Sequence, residues 1–573
     1  MQESLWQPKA TVDVAAPTPM PELIWRILSA KQITDNEQIE TLLQPSLKNL
    51  AHPFVLTNLE KATQRLHEAF LKNEKICVYA DFDLDGTSGL ALMLKGLKDL
   101  GYDNVIHYQP KRLSEGYGVH VKAIEELKTQ GVDVVITVDV GITAHDAAIK
   151  ANEIGIDFII TDHHLPKETL PEAYTVVNPN QNACDSNLGY LCGAGVAFYF
   201  LLGLKLTLNK NNILTPEFNP KELLDCFVIG TLTDLVPLVH ENRVLVKHGL
   251  VALEKTKRPG LKKLLEALGM GNKALTGSDV AIRFAPKLNA LSRLELGVMP
   301  IDLFLIEDEK KADQLIKKVL SFNDKRIHLQ KKSEDQALDW LKKRDQQHIG
   351  FMASEEFHKG VVGLVATKVA QTRLVPAFIG SVNNEGIVTG SCRRPDHSNI
   401  SLLDGLEAVA EHMIKFGGHA PAAGFMFEYE KFELIEKGLE DFYKVASQQE
   451  EQRQIFEYDV MAQFSEITPV FMRWFDQLGP FGVGFEAPLF LFENLSVEKI
   501  TELRGGHFKF SLKARQELTK ADALWFSPSK FHPVLKKGMR PQDIVDILAE
   551  PQWNFFNGRK SLQYLIKDIR FSV

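Results

Sequence analysis

The feature that most restricts the fold of this chain is a regular alternation of apolar runs and amphipathic stretches between residues 75 and 164. The apolar runs in KICVYADFD, VDVVITVDVG and IDFIITDHH show no polar alternation, which is typical of strands covered on both faces. The intervening stretches, such as residues 121–130, repeat apolar residues at helical spacing. Strands that alternate with helices predict a parallel sheet in an α/β domain.

The remaining sequence predicts a multidomain α/β protein. Residues 306–345 are highly charged with a thin apolar stripe, which predicts a long connecting helix. A second strand–helix alternation follows, and short strand-like runs at close spacing then predict a small β-barrel. The predicted division is an N-terminal extension (1–50) with a short helix at Glu22–Ala30, a first α/β domain (51–305), the connecting helix (306–345), a second α/β domain (346–446), a polar linker (447–454) and the barrel (455–573).

Composition excludes several classes of protein. With 45% hydrophobic and 24% charged residues, the chain is typical of a globular protein, and it has no apolar run long enough to span a membrane. The N-terminal residues have no basic start followed by an apolar stretch, so we expect no secretory signal. The cysteines are five, an odd number without a CxxC pair, which favours the cytoplasm over an oxidising compartment. A net charge of −8 argues against indiscriminate nucleic-acid binding but allows a local basic channel.

The first acidic cluster follows the first predicted strand. Asp81, Asp83 and Asp85 stand at alternate positions, so they point to one side and raise one another's pKa unless a cation lies among them. Carboxylate ligands favour Mg²⁺ or Mn²⁺. The string also begins like a calcium-binding EF-hand loop, but its twelfth position is the apolar Leu92 rather than glutamate. A solvated acidic turn is the other alternative.

Three further motifs follow apolar runs. Asp139 ends one predicted strand, the triplet Asp162, His163 and His164 ends another, and Asp234 ends a fourth apolar run. Taken singly, an aspartate at such a point is often a helix cap. Taken together, we expect four strand ends to converge on one sheet edge, where ligands bind in α/β folds. Burying so many acidic groups without cations is costly, which favours a pair of metal ions about 3.5–4 Å apart.

The order of these motifs resembles the DHH phosphoesterase superfamily, and within it the exonucleases specific for single-stranded DNA. The matching strings in chain order are DFDLDG, YQPKRLSEGYG, VDVGI, DHH, NPNQ, LCGAGVAF, GTLTDLVPL and RFAPKLNALSRL. The resemblance extends from about Leu50 to the end of the chain. It implies a DHH catalytic domain, then a DHHA1-type substrate-binding domain, then a nucleic-acid-binding OB-fold.

The resemblance also implies a two-metal centre that holds Mn²⁺ or Mg²⁺, with Asp139 as the bridging ligand. Asp81 would be either a further ligand or a supporting group, and His164 would either lie against the scissile phosphate or orient a ligand. The ions would activate a water for in-line attack and stabilise the leaving oxygen. The implied metal ligands are Asp83, Asp85, Asp139, His163 and Asp234, with Asp81 in addition, and His164 joins them as a catalytic residue.

Substrate contacts are implied by the same resemblance. Glycines allow the backbone to approach a phosphate, and arginine and histidine supply donors to it. Arg393 would bind either a strand phosphate or a 5′-phosphate. The implied substrate-binding residues are Asn289, Arg293, His358, Arg393, Gly417, Gly418 and His419. In the barrel, aromatic residues either stack on bases or form the core, and the candidates are Phe508, Phe510, Trp553 and Phe555.

Three positions depart from the family pattern. Ser292 stands where the family usually has glycine, Phe485 where it has asparagine, and Arg394 where serine is common. None of the three is an implied metal ligand. The departures therefore bear on how a strand is held rather than on the chemistry.

The resemblance predicts a 5′-to-3′ exonuclease that degrades single-stranded DNA in repair and recombination. It implies single-strand-binding protein and a helicase as partners, and we expect a cytoplasmic monomer without a membrane attachment. Two alternatives stay open. A small-molecule DHH phosphoesterase would need neither the connecting helix nor the barrel, and a non-catalytic DNA-binding scaffold would have lost metal ligands that this sequence keeps.

Overall fold

The computed structural model describes residues 3–12, 16, 19–271, 273–344, 346–396, 398–448, 454–515, 519–529, 532–556 and 559–572. The chain folds into two compact units. The first, here called the DHH unit, comprises Pro45–His328 and Pro480–Glu486. The second comprises Met1–Gln44, Leu329–Gly479 and Ala487–Val573. Most of the predicted linker at 447–454 lies outside the described residues.

The secondary structure follows the predicted alternation. The strands are β1 Leu5–Pro8, β2 Ile76–Ala80, β3 Val105–Tyr108, β4 Val134–Val138, β5 Asp157–Thr161, β6 Thr175–Val177, β7 Gly350–Ser354, β8 Ala377–Val382, β9 Ile387–Arg393, β10 Lys415–His419, β11 Ala422–Glu428, β12 Ile455–Tyr458, β13 Val460–Met461, β14 Phe490–Leu503, β15 His507–Ala514, β16 Lys520–Trp525, β17 Ile544–Phe556 and β18 Arg559–Phe571. The α-helices are α1 Glu22–Ala30, α2 Asn36–Leu43, α3 Leu59–Lys72, α4 Leu84–Asp99, α5 Val121–Thr129, α6 His145–Glu153, α7 Gly193–Lys210, α8 Leu224–Thr233, α9 His240–Glu254, α10 Pro259–Ala267, α11 Ala285–Leu294, α12 Pro300–Leu305, α13 Glu309–Lys343, α14 Val362–Arg373, α15 Leu402–Glu407, α16 Phe432–Ala446, α17 Pro469–Leu478 and α18 Pro533–Lys537.

The DHH unit is built on the predicted parallel sheet, with strand order β3-β2-β4-β5-β6. Alternate residues of its strands enter two separate cores. Val78 and Ile136 pack in the core on one face, and Cys77 and Val135 pack in the core on the other. The central strands are therefore covered on both faces, as their apolar runs predict. Their carboxyl ends, which carry the DFDLDG, VDVGI and DHH motifs, lie side by side.

One element of this unit was predicted wrongly. The apolar run before Asp234 is helix α8 and not a strand, so three strand ends and one helix end meet at the site. The helix is buried from Leu224 to Leu232, and a helix without a solvent face has no polar stripe that would distinguish it from a buried strand.

The second α/β domain has a five-stranded sheet of order β10-β11-β9-β8-β7. Only the pair β7–β8 is parallel, and β8–β9, β9–β11 and β10–β11 are antiparallel. Phe351, Phe378 and Phe427 lie in its core, packed against α16. The predicted long helix is α13, which spans 35 residues.

The C-terminal region forms the predicted barrel. Strands β14, β15, β16, β18 and β17 pair in that order, and β14 pairs with β17 to close the ring. The N-terminal segment adds a strand that was not predicted, since β1 pairs in parallel with β12 next to the barrel. Trp6 anchors this strand through a hydrogen bond of 2.7 Å from its Nε1 to the carboxylate of Asp568. Within the described residues, the helices are too short or too polar to cross a membrane.

Candidate metal centre

The first motif places three aspartates between β2 and α4. Asp81 follows the strand directly and is buried. Asp83 caps the helix, because its carboxylate accepts hydrogen bonds from the backbone N–H of Asp85 (2.9 Å) and of Gly86 (3.0 Å). Asp85 then lies in the first helical turn, fully buried. The string therefore directs its aspartates into the fold, which argues against a solvated turn.

The carboxylate of Asp85 is fixed by the start of α7. It accepts hydrogen bonds from the backbone N–H of Gly193 (2.6 Å) and of Ala194 (2.9 Å). The first N–H groups of a helix have no partner within the helix and carry partial positive charge, so they suit an anion. The LCGAGVAF string thus supports the first motif from more than a hundred residues away.

Asp139 follows β4 and turns its backbone into the left-handed region, with φ of 63°. Non-glycine residues adopt that region rarely, and they do so at functional sites more often than elsewhere. Gly193 packs directly against Asp139, and a Cβ on Gly193 would lie 2.3 Å from the Cβ of Asp139. The position of Asp139 therefore depends on a side chain being absent from the neighbouring helix.

The DHH loop after β5 is organised by Asp162, to which the sequence analysis gave no role. Its buried carboxylate accepts hydrogen bonds from the backbone N–H of Ile142 (2.9 Å) and of His163 (2.7 Å), and it bonds to Nδ1 of His164 at 2.8 Å. The NPNQ string holds the same loop, because Asn178 Nδ2 donates to the carbonyl oxygen of His164 at 2.9 Å. Asp162 therefore positions the two histidines.

His163 lies at the centre of the cluster. Its Nε2 is 3.2 Å from Asp139 Oδ1, 3.5 Å from Asp234 Oδ2 and 3.9 Å from Asp85 Oδ2. Motifs separated by up to 149 positions in sequence, from Asp85 to Asp234, thus meet at one imidazole nitrogen. This convergence is the one that the motif order predicts.

The carboxylates perturb one another. Burial and the charge of Asp83 raise the pKa of Asp81 to about 8, and burial with the charges of Asp85 and Asp83 raises the pKa of Asp234 to about 8. Burial also raises the pKa of Asp85 and of Asp139. Carboxylates packed so closely stay ionised only when a cation offsets their repulsion.

The pKa values of the two histidines are shifted in opposite directions. Burial lowers the pKa of His163, which leaves a neutral imidazole with a free lone pair. Burial alone would also lower the pKa of His164, but its hydrogen bond to Asp162 and the charge of that residue raise the pKa to about 9. At neutral pH, His163 is suited to bind a metal ion, and His164 is suited to contact an anion.

The residues fit divalent ions. Among the described residues, Asp81 Oδ1, Asp139 Oδ1 and His163 Nε2 are buried without a hydrogen-bond partner, an arrangement that is costly unless a cation binds them. Three overlapping groups bring ligand atoms within 4.8 Å of one another, namely Asp81, Asp83 and Asp139, then Asp85, His163 and Asp234, and finally Asp139, His163 and His164. Asp139 and His163 each belong to two groups, and of these two the carboxylate of Asp139, which has two oxygens, could be shared by neighbouring ions.

A cation near the first motif was missed in the sequence analysis. Arg112, in the YQPKRLSEGYG string, lies over the ring of Phe82 with its guanidinium carbon 5.2 Å from the ring centroid. Asp81 and Asp83 are close enough to act on its charge. The string itself was noted for its resemblance, but a single arginine in an irregular loop carries no spacing that would mark its role.

The predicted substrate-binding residues fall into two sets. Asn289 and Arg293 lie half-buried on α11 in the DHH unit. Glu295, just beyond this helix, accepts hydrogen bonds from the backbone N–H of Leu113 and from Ser114 Oγ, so α11 is tied to the loop that carries Arg112.

The other set lies in the second α/β domain, at one end of its sheet. The strand register places His419 opposite Ala422 and Ala422 opposite Arg393. A Cβ on Gly363, in the first turn of α14, would lie 3.3 Å from Arg393 Nη2, so the guanidinium lies beside the start of this helix. His358 lies in the loop that precedes α14 and accepts a hydrogen bond from the N–H of Gly360 at 3.0 Å. Gly417 and Gly418 are exposed on the edge strand β10.

The candidate barrel aromatics differ in burial. Phe510 is 1% exposed and belongs to the core, whereas Phe555 is 49% exposed. Trp553 is half-buried, and Lys560 Nζ lies 3.9 Å from its ring centroid. Phe508 is half-buried against the core ring of Trp525.

Two of the three residues that depart from the family pattern, Phe485 and Arg394, make local contacts that account for them. Phe485 stacks on Phe481 and contacts the guanidinium of Arg243, with 4.2 Å between its ring centroid and the guanidinium carbon. Arg394 donates a hydrogen bond to the carbonyl oxygen of Ile400 at 3.3 Å. Nothing in the structure explains Ser292, which is buried in α11.

Models of three families match the chain. They are the DHH family N-terminal domain over residues 75–231, the DHHA1 domain over 345–445 and the RecJ OB domain over 458–568. Together with the acidic centre at the sheet edge, these matches define the class as DHH proteins that carry a DHHA1 domain and a C-terminal barrel.

Similar proteins identify the family within this class. The single-stranded-DNA-specific exonuclease RecJ of Bacillus subtilis (strain 168) is 31% identical over 553 residues, which are 96% of this chain and 68% of that protein. RecJ of Escherichia coli (strain K12) is 32% identical over 76% of this chain and 78% of its own length. The crystal structure of RecJ in complex with Mn²⁺ from Thermus thermophilus matches with a TM-score of 0.78 and 26% identity, covering 99% of this chain and 79% of that chain. The chain belongs to the RecJ family, and the resemblance drawn from its motifs is confirmed.

Proposed function

We propose that this protein is an exonuclease that hydrolyses single-stranded DNA from the 5′ end, in DNA repair and recombination. The observation that carries the proposal is the meeting of Asp85, Asp139 and Asp234 around His163, whose Nε2 lies within 3.9 Å of a carboxylate oxygen of each. The relatives that match the chain are named single-stranded-DNA-specific exonucleases, which supports the substrate.

We propose that Asp81, Asp83, Asp85, Asp139, His163 and Asp234 hold two divalent ions, and the manganese in a related crystal structure supports Mn²⁺, with Mg²⁺ as the other candidate. When bound, such ions supply Lewis-acid polarisation of a phosphate and a water of lowered pKa. The protein's own residues orient the reaction. His163 offers a neutral nitrogen because its pKa is lowered by burial. His164, held cationic by Asp162, donates to the scissile phosphate.

For the substrate, we propose that the donors at one end of the second α/β sheet bind a DNA phosphate. His358, Arg393 and His419, with the exposed backbone of Gly417 and Gly418, supply charge and N–H groups there. We further propose that Asn289 and Arg293 on α11 bind the strand near the metal centre, because α11 is tied to the loop of Arg112.

We propose the domain division predicted from the sequence: extension 1–50, DHH domain 51–305, connecting helix 306–345, DHHA1 domain 346–446 and OB-fold 455–573. By analogy with the family, we also propose a cytoplasmic monomer that acts with single-strand-binding protein and a helicase. All five cysteines are free thiols, and four of them are buried, which is compatible with a reducing compartment.

The test is digestion of single strands labelled at either the 5′ or the 3′ end, with Mn²⁺, by the wild type and by Asp139→Ala. We expect mononucleotide label to appear at once from the 5′-labelled strand and only late from the 3′-labelled strand, and we expect Asp139→Ala to release almost no label from either strand. Asp157→Ala is the control, because Asp157 lies at the opposite end of β5 and binds Arg65. Equal digestion of blunt duplex, or activity confined to dinucleotides, would contradict the proposal.

A further inference from the structure

Asp234 is held differently from the other aspartates of the centre. Its side chain is 24% exposed, against 1% for Asp85 and 2% for Asp139. Asp85 is fixed by two backbone N–H groups, whereas the carboxylate of Asp234 accepts no hydrogen bond from any described residue. Its position is therefore set by the backbone around it. That backbone ends α8 at Thr233 and turns at Leu235 with φ of 59°.

The loop after Asp234, residues 235–239, is covered by a short hairpin from far along the chain. This hairpin, Pro480–Glu486, belongs to the DHH unit although the residues on both sides of it belong to the other unit. It is closed by two hydrogen bonds, from Gly482 N–H to the Phe485 oxygen (3.0 Å) and from Phe485 N–H to the Gly482 oxygen (3.1 Å). The N–H of Leu238 donates to the oxygen of Val483 at 2.7 Å.

The fit between hairpin and loop depends on glycine. A Cβ on Gly482 would lie 2.7 Å from Leu238 Cδ1, closer than real Cβ contacts allow. Gly484 has φ of 75°, and a Cβ there would lie 3.3 Å from the Cβ of Pro237. The hairpin thus lies directly on the loop and restricts how far it can move.

Arg243, in the first turns of α9, holds the hairpin in place. It is 6% exposed, and its Nη1 donates to the carbonyl oxygen of Pro480 at 2.8 Å. Its guanidinium carbon lies 4.2 Å from the centroid of the Phe485 ring, a cation–π contact. The preceding residue, Asn242, donates from Nδ2 to the oxygen of Pro237 at 3.0 Å. The start of α9 therefore fixes both the loop and the hairpin that covers it.

We infer that Arg243 is a positioning residue that, through the Pro480–Glu486 hairpin, holds Asp234 in place to bind metal. The inference rests on the proposed metal-dependent function. Since the carboxylate of Asp234 accepts no hydrogen bond within the described part of the chain, loosening the hairpin displaces this ligand before the others. Loss of groups that orient metal ligands typically lowers metal affinity about 10–100-fold. The proposed DNA-binding residues, on α11 and in the second α/β domain, are not changed, so we expect binding of DNA to stay as in the wild type.

The experiment is a Mn²⁺ titration of the full-length protein, followed by the electron paramagnetic resonance signal of free Mn²⁺. We expect Arg243→Met to raise the Kd of the more weakly held ion about tenfold, and Arg243→Lys, which keeps a cation for Pro480 and Phe485, to stay within about threefold of the wild type. In parallel, Arg243→Met should lower kcat at limiting Mn²⁺ and recover at high Mn²⁺, with KM for single-stranded DNA unchanged.

Arg373→Met is the matched control. Arg373 also donates to backbone oxygens, those of Leu341 (3.2 Å) and Gln346 (2.6 Å), but it lies in the other unit. Its replacement should leave Mn²⁺ affinity unchanged. If circular dichroism shows that Arg243→Met does not fold, Phe485→Leu replaces it in the test, because this substitution removes the aromatic ring of the same cation–π contact. We then expect the Kd for Mn²⁺ to rise about threefold.

The outcomes separate the inference from the proposed function. A wild type that binds no Mn²⁺ overturns both. A wild type that binds two ions, with Arg243→Met and Phe485→Leu binding them equally well, overturns the inference alone. A loss in Arg243→Met that Arg243→Lys does not restore also overturns it, because the cation would then not be the group responsible.

Discussion

The closest packing in the metal centre gives the sharpest prediction, which is the effect of Gly193→Ala. The new Cβ would lie 2.3 Å from the Cβ and 2.7 Å from the Cα of Asp139, whereas ordinary contact begins at 3.4 Å. Either Asp139 or the start of α7 must therefore move by about 1 Å, the difference between these distances. Overpacking of this kind costs about 1–3 kcal/mol of stability. A misplacement of about 1 Å among catalytic groups lowers the rate about a hundredfold.

Gly195→Ala, two residues further along the same helix, is the matched comparison. Its Cβ would lie 3.2 Å from the Cβ of Leu191 and 3.4 Å from Cε2 of Phe227, which needs a shift of only a few tenths of an ångström. Alanine in a helix interior is also favoured over glycine by about 1 kcal/mol. We expect Gly195→Ala to keep activity within about threefold and stability within about 1 kcal/mol of the wild type.

The assay is the initial rate of nucleotide release from 5′-labelled single strands at saturating Mn²⁺, together with urea unfolding. The reasoning predicts a large rate loss in Gly193→Ala that exceeds what its stability loss explains. Full activity in Gly193→Ala, or equal losses in both variants, would refute the claim that a missing side chain on α7 sets the position of Asp139.

The remaining predictions concern groups outside the ligand set. Burial acts to raise the pKa of Asp568, but hydrogen bonds from His532, Ser4 and Trp6 hold that pKa below the usual 3.8. Ionised Asp568 therefore stabilises the folded protein above pH 3.8, and this stabilisation is lost as the pH falls through the pKa of Asp568 in the folded state. The free energy of unfolding of the wild type should therefore exceed that of Asp568→Asn at pH 7, with a gap that shrinks below about pH 4, and a gap independent of pH in urea titrations would contradict this. Phe510→Ala, in the barrel core, should lose about 3–5 kcal/mol of stability, whereas the exposed Phe555→Ala should keep its stability and bind single-stranded DNA more weakly by about 1–3 kcal/mol in fluorescence anisotropy. Asp162→Asn should release His164 and lower its pKa, which removes the protonated form near pH 8 in NMR titrations, and an unchanged His164 titration would show that Asp162 does not hold the cation.

Much of the fold could be predicted because the runs of β2, β4 and β5 are short and mostly apolar, and stretches with helical spacing separate them. Helix α8 could not, because its segment from Leu224 to Leu232 is buried on all sides and its apolar run shows the same pattern as a buried strand. Strand β1 was also missed. Its pairing with β12 joins residues about 450 positions apart, and its four residues carry no alternation. Such contacts depend on tertiary structure rather than on local pattern.

At the site, the sequence indicated which residues are candidate metal ligands but not which contacts position them. Asp139 and His163 follow apolar runs, and that position marked them as candidates. The groups that support the ligands are far from them in sequence. The donors to Asp85, for example, are backbone N–H groups at the start of α7, in the LCGAGVAF string, and a backbone group leaves no residue type that a motif search could recognise. Asp162 was read as part of a triplet with the histidines, although its hydrogen bonds give it a different task. Only the folded chain shows which atoms face the centre and which support it.

The central claim is that Asp85, Asp139, His163 and Asp234 together bind a pair of divalent ions. The most direct measurement is anomalous diffraction at the manganese edge from crystals of the protein soaked in Mn²⁺. The account predicts two anomalous peaks about 3.5–4 Å apart, with Asp139 between them and His163 bound to one of them. A single peak away from these side chains, or none at a Mn²⁺ concentration that supports full activity, would contradict it.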